Sequence, residues 1–156
     1  MPPPLDDIDR AMAVMQSAFD PAFGEAWTRR QLEDSLLSGH CQLTLIGPDG
    51  APPADDAPAA GFALVRTMID EQELLLLAID PRWRRRGLGA SLLKRIIAAA
   101  HQHGMVRMLL EMRAGNSAEN LYRAFSFMPV GQRAKYYRTP SGEMLDAITF
   151  SRSIAG

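Results

Sequence analysis

One cysteine, Cys41, is all this chain contains. A lone thiol cannot close an internal disulfide, and no CxxC pair or Cys/His cluster spells out a zinc site. Long apolar runs are missing too. The longest, residues 74–79, falls far below the ~20 residues of a membrane span. The opening MPPPLDDIDR is acidic and proline-rich, unlike a secretory leader. Excess charge of either sign is absent, since the formal net charge is -1, so the molecule as a whole is not a polycation. These absences predict a soluble, cytoplasmic, metal-free protein with no membrane partner. What is present fits one domain over 1–156. The 156 residues, 47% hydrophobic and 22% charged, are enough to bury a proper core.

The near-neutral total hides an uneven distribution. Residues 1–81 carry 14 acidic and 4 basic side chains, whereas 82–138 carry 12 basic and 2 acidic. The basic segment suits an anionic ligand, either a phosphorylated cofactor or nucleic acid. Few exposed aromatics interleave with its cations, as base stacking would require, so no nucleic acid is expected. The acidic half suits a cationic substrate, or simply forms a solvated face with salt bridges to the other half.

Apolar residues Leu5, Ile8, Met12, Met15 and Phe19 step by three and four, which predicts a helix with Asp6 and Asp7 at its start. Pro21 and Gly24 break it. Thr28 and Gln31 form a capping box for a second helix running to Leu37, stopped by Ser38-Gly39. Residues 41–46 and 61–69 read as strands. Between them, 47–60 holds four prolines and three aspartates, a mobile surface loop. Residues 73–79 read as a strand buried on both faces. A strong helix begins at Leu88 and ends at Gly104, with apolar positions Leu92, Leu93, Ile96, Ile97 and Ala100. A strand at 106–112, a short helix at 117–125 and a hairpin of 130–137 with 144–151 complete the chain. The order predicts a mixed α/β (α+β) sheet with two crossover helices.

Arg84-Arg85-Arg86-Gly87-Leu88-Gly89 joins a strand to a helix. A helix N-terminus offers unpaired N–H groups and partial positive charge, and glycine lets backbone approach an anion closely. This is chemistry for a pyrophosphate. It is neither a Walker loop nor a GxGxxG fingerprint. The bland alternative is a turn with surface arginines.

With Pro81-x-x-x-Arg85-x-Gly87-x-Gly89 at that junction, Glu111-Met-Arg113-x-x-Asn116 after the next strand, and Leu121-Tyr122 on the following helix, the chain resembles the GCN5-related N-acetyltransferases (GNAT) over residues 5–152. The segments EMRAGN, NLYRAFSF and KYY before DAITF, and Glu25-Ala26-Trp27-Thr28 ahead of the capped helix, look most like the ribosomal-protein-alanine N-acetyltransferase (RimI-type) branch. Ser126-Phe127 stands where the family commonly has Gly-Phe, so the turn after the short helix is expected to differ.

The resemblance implies the GNAT fold, a mixed, mostly antiparallel central sheet with helices on both faces, and acetyl transfer from acetyl-CoA, without a metal, to a protein N-terminal amine. The acceptor would be the terminal alanine of a small-subunit ribosomal protein, attacking directly in a ternary complex. Glu111 is implied as base and Tyr122 as acid. Leu77, Ala78 and Ile79 would offer backbone groups to the pantetheine arm, filling a gap where this strand splays from the next. Arg84, Arg85, Arg86, Gly87, Leu88, Gly89 and Ala90 would hold the phosphates, with Asn116 a further CoA contact. Glu25, Trp27 and Tyr137 would lie on the peptide side.

Plainer roles stand beside these. Strand alternation puts Arg107, Leu109, Glu111 and Arg113 on one face, where Glu111 can pair with Arg113 or another arginine. Tyr122 shares an apolar helix face with Ala118, Leu121 and Phe125. Asn116 can cap a helix, and Trp27, Tyr136 and Tyr137 can simply pack. Cys41 beside His40 reads as a small apolar filler rather than a nucleophile. His101 and His103 suit a helix C-terminus. The rival functions are acetylation of another amine, such as a polyamine or an antibiotic, and a CoA-sensing or RNA-binding module. A monomer or weak dimer is expected.

Overall fold

The computed structural model describes residues 6–154. Leu5, placed above on the first helix face, lies outside them. Asp6 accepts from the Ile8 N–H and caps helix α1 (Asp7–Ala18), which buries Ala11, Val14 and Met15. A 3-10 turn at Pro21–Phe23 closes on Gly24 in the left-handed conformation. Helix α2 (Arg29–Leu37) opens on the complete Thr28/Gln31 capping box. Its two bonds are Gln31 N–H to Thr28 Oγ1 at 3.1 Å and Thr28 N–H to Gln31 Oε1 at 2.8 Å. Strands β1 (Cys41–Ile46), β2 (Gly61–Met68) and β3 (Glu71–Ile79) follow, then α3 (Leu88–Gln102), β4 (Arg107–Arg113), α4 (Glu119–Ala124), β5 (Met128–Arg138) and β6 (Met144–Ser153).

The six strands form one sheet in the order β1-β2-β3-β4-β6-β5. Every neighbouring pair is antiparallel except β3 with β4, which run parallel. Helix α3 makes the crossover between those two, and α4 carries the chain from β4 to the far side of β6. Side-chain alternation divides the core in two. On one side Leu92, Leu93 and Ile96 of α3 pack with Met108, Leu110, Phe127 and Phe150. On the other, Ala11, Val14, Met15 and Leu32 pack with Phe62, Leu64 and Leu76. Helices therefore cover both faces, as expected.

Two expectations need correction. β3 is not sealed on both faces: Gln72, Leu74, Leu76 and Ala78 are buried, while Glu73, Leu75, Leu77 and Ile79 are only half-buried. The reason is the cleft that β3 borders. Nor does the 47–60 loop hang free. Arg10 donates through Nη1 to the carbonyls of Ala54 (2.8 Å) and Ala57 (3.2 Å), and Arg95 donates to Gly50 (2.8 Å). Both guanidinium groups thus donate to carbonyls of a segment that lies outside the sheet ladder.

One irregularity matters for function. Leu64 faces Leu76 and Val65 faces Leu74, so Leu75 is an extra residue, a β-bulge. Leu75 and Leu76 consequently turn to the α1 side, while Leu74 and Leu77 pack on the α3 side. Bulges bend the strand that carries them. Pairing between β3 and β4 covers only Glu71–Leu74 against Arg107–Leu110. Beyond the bulge the two strands part.

Candidate active site

Parting two central strands opens a cleft of about 1060 Å³ through the sheet. One wall is the unpaired end of β3, with Leu75, Leu77, Ala78 and Ile79 on it. The other is Leu110 to Arg113 of β4. The first turn of α3 closes one end, and the 18–27 segment and Tyr137 stand on the opposite side. Because the gap passes through the sheet, groups from both faces meet in it. Glu111 comes from the α1 side of β4, and Tyr122 from α4 on the α3 side.

At the α3 end, Gly87 is the N-cap with φ 77° and makes no side-chain cap bond, and Ser91 N–H closes onto Gly87 O at 3.0 Å. The N–H groups of the first turn thus have no capping side chain, and Leu88, Gly89 and Ala90 line the cleft. A Cβ at Gly89 would lie 3.3 Å from Leu121 Cδ2, so a larger residue there would crowd the cradle. Arg85 holds φ 64°, a conformation that costs a non-glycine residue about 1 kcal/mol or more. It also lines the cleft.

The three arginines do not act alike. Arg84 Nε donates to Ile79 O at 3.1 Å and its Nη2 to Ala18 O at 2.6 Å. Its side chain binds the loop to the end of α1. Arg86 stacks 5.1 Å from the Trp83 ring centroid and is not brought to the cleft wall. All three are exposed, and Arg85 is the one that lines the cleft beside the α3 start with its side chain uncommitted.

Glu111 is the first β4 residue past the parallel pairing. Its neighbours hold it loosely. Tyr137 Oη donates to Oε1 and Thr149 Oγ1 to Oε2, each at 3.4 Å, and Arg133 Nε lies 3.7 Å from Oε2. Arg133 is 61% exposed, so that pair is weak. The anticipated partner Arg113 binds Glu25 instead at 3.2 Å, with its guanidinium carbon 3.5 Å from the Phe23 ring centroid. Glu25 therefore reaches the cleft already paired. Trp27 is half-buried beside it and packs on the α1 core.

Tyr122 packs its ring edge-on to Phe127, and its hydroxyl makes no hydrogen bond among the described residues. Burial first, then the charge of Glu25, push its pKa to about 12. It remains a neutral phenol, able to donate, across the physiological range. Tyr137 is raised to about 12 as well, by burial and then by Glu111. Asn116 Oδ1 accepts from Ala118 N–H at 2.9 Å, forming a turn ahead of α4, and also lines the cleft. Asn116 therefore does not cap α4, whose N-cap is Ala118 without a side-chain bond.

Of the sixteen residues singled out from the sequence, all but Arg86 border this one cleft. Sequence reasoning missed Thr149 beside Glu111 and the Arg113–Glu25 pair, whereas the other arginine it allowed for Glu111 is Arg133. Thr149 could have been found from strand pairing, because it sits opposite Glu111 in the β4–β6 register. Coenzyme A, the ligand implied by the resemblance, fits these residues. It needs an open strand edge for its amides and a glycine-lined helix start for its phosphates, and the cleft has both. No group of three or more metal-ligating side chains occurs among the described residues.

Residues 53–137 match the family model described as the acetyltransferase (GNAT) domain. The ribosomal protein bS18-alanine N-acetyltransferase of Salmonella typhimurium is 40% identical over 103 residues, covering 65% of this chain and 68% of that protein. The protein of the same name in Escherichia coli K12 is 36% identical over 97 residues, covering 62% and 65%. The crystal structure of the E. coli ribosomal-protein-S18-alanine N-acetyltransferase superimposes with a TM-score of 0.81 at 28% identity, over 96% of this chain and 89% of that one. The chain belongs to the GNAT family of N-acetyltransferases.

Proposed function

We propose that this chain transfers an acetyl group from acetyl-CoA to the N-terminal amine of a protein, namely the terminal alanine of ribosomal protein bS18, in a ternary complex. The observation that carries the reading is the gap beyond Leu74 and Leu110, where a carboxylate, a neutral phenol and an uncapped helix start border one cleft. The names of the relatives support the choice of acceptor.

Acetyl-CoA supplies an activated acetyl group. The chain's residues do the rest. Leu77, Ala78 and Ile79 offer the unpaired β3 edge to the pantetheine arm, and the first turn of α3 with Arg85 holds the phosphates. An α-amino group has a reference pKa of about 7.7–8.0, so much of it is protonated at neutral pH. Glu111 takes the proton, directly or through a water, so that the amine is neutral when it attacks. A backbone N–H of β3 faces the acyl oxygen as negative charge grows there. Tyr122 then donates its phenolic proton to the departing sulfur. Glu25, Trp27 and Tyr137 form the mouth through which the peptide terminus enters.

The test uses labelled acetyl-CoA with a peptide of the first residues of bS18, alongside the same peptide blocked at its terminus and a polyamine. Label on the free terminus alone is the expected result. Label on the polyamine alone would move the enzyme to a small-molecule acceptor.

A further inference from the structure

Glu111 depends on Tyr137 for a hydrogen bond, and Tyr137 points inward only because β5 is irregular. Along β5, Arg133 faces Ala147 and Tyr137 faces Leu145. Four steps on one strand answer two on the other, so residues 134–136 bulge outward. Lys135 sits at the bulge with φ 53°, a left-handed conformation a lysine does not hold without support. Asp146, on β6 between Leu145 and Ala147, supplies that support. Its Oδ1 accepts from the Lys135 N–H at 2.9 Å and its Oδ2 from Gln132 Nε2 at 2.7 Å. Its own carbonyl accepts the Ala114 N–H at 2.8 Å, just past the end of β4. One residue thus ties the strand carrying Glu111 to the bulge that aims Tyr137.

We infer that Asp146 is a positioning residue for acetyl transfer: its carboxylate sets the β5 bulge that places the Tyr137 hydroxyl on Glu111. It touches neither substrate nor cofactor in this role, and it acts through Tyr137. The inference rests on the reading of Glu111 as base. The groups facing the Tyr137 phenol are Glu111, Glu25 and Tyr136, with Arg133 stacked on Tyr136 at 4.8 Å. The carboxyl of Asp146 is itself held below the usual range, chiefly by the Lys135 N–H and then by Gln132, as a persistent acceptor would be.

The experiment combines Asp146→Ala, Asp146→Asn and Tyr137→Phe. The first readout needs no activity. With carbon-13-labelled tyrosine, burial and Glu111 should hold the Tyr137 pKa of the unaltered protein raised to about 12, and in Asp146→Ala it should fall toward the ordinary value of about 10. The second readout is steady-state kinetics on the alanine-terminated peptide. Asp146→Ala lowers kcat by about tenfold to a hundredfold with the KM for acetyl-CoA unchanged. It causes no further loss in a Tyr137→Phe background. Asp146→Asn keeps an acceptor for the Lys135 N–H and recovers most of the turnover; if Asp146→Ala does not fold, Asp146→Val, which also lacks the acceptor but favours strand backbone, gives the same comparison. An unmoved Tyr137 titration, or an equal loss of kcat with and without Tyr137, overturns the inference. A moved titration in a protein that acetylates no peptide would instead leave the bulge clamp standing and remove the proposed reaction.

Discussion

Glu111→Gln keeps the shape and hydrogen-bonding oxygen of the side chain but cannot take a proton. Turnover should fall by about a hundredfold or more, while calorimetric titration with acetyl-CoA shows affinity within a factor of two or so of the parent. Unchanged turnover at every pH would remove Glu111 as base. Tyr122 makes a stability prediction. Its folded pKa of about 12 lies above the unfolded value of about 10. The neutral form is therefore favoured by folding, so that contribution is complete below about pH 10 and is lost as pH rises toward 12. Chemical denaturation across that window should show a decline of about 2–3 kcal/mol, reduced in Tyr122→Phe; an equal decline in the variant would contradict burial as the cause. Ser126 holds φ 70°. The turn after α4 therefore keeps the backbone that glycine adopts freely, and the anticipated difference lies in strain rather than shape. Ser126→Gly should raise stability by about 0.5–1 kcal/mol, read from the denaturant midpoint. At this scale the residue types were legible because chemistry requires them. Their partners were not: Arg113 sits two residues from Glu111 yet pairs with Glu25, a choice made by how the 20–28 segment folds over β4.

Among the elements, α2 and α3 are the clearest consequences of local sequence. The Thr28 cap makes one of two reciprocal bonds, so Thr28→Ala should cost about 1 kcal/mol, seen as a lower thermal midpoint with acetyl-CoA affinity unaffected. Gly89→Val tests the other helix start. Leu121 already stands 3.3 Å from where a Cβ would be, and valine's two methyl groups would fill the space in front of the first-turn N–H groups. Acetyl-CoA binding should vanish while the circular dichroism spectrum stays that of the parent. Helix periods, caps and breakers are written within a few residues of each other, which is why both helices were readable to within a residue or two. The parting of β3 from β4 was not. It follows from the bulge at Leu75, and a run of four leucines carries no mark of which one falls out of register. Only the resemblance anticipated the splay.

Across the whole molecule, ion pairs link part of the acidic half to itself and part of it to the basic half. Arg29 reaches Asp9 at 2.6 Å, Glu33 at 3.3 Å and Asp6 at 3.7 Å, and the pairs Arg107–Glu71 and Arg113–Glu25 join the two halves across the sheet. The reading of solvated faces linked by salt bridges therefore describes the acidic segment better than a surface reserved for a cationic partner. The basic segment earns its charge differently, with Arg85 beside a helix start at the end of the cleft. In the proposed reaction, the parted strands and that helix start together grip acetyl-CoA. Hydrogen exchange, followed by mass spectrometry with and without acetyl-CoA, tests it most directly. Slowed exchange is expected at residues 76–79 and 88–91, with no change in a separate groove that Ile97, His101, Phe125 and Arg152 line. Unaltered exchange in both cleft segments at saturating acetyl-CoA, or protection confined to that groove, would contradict it.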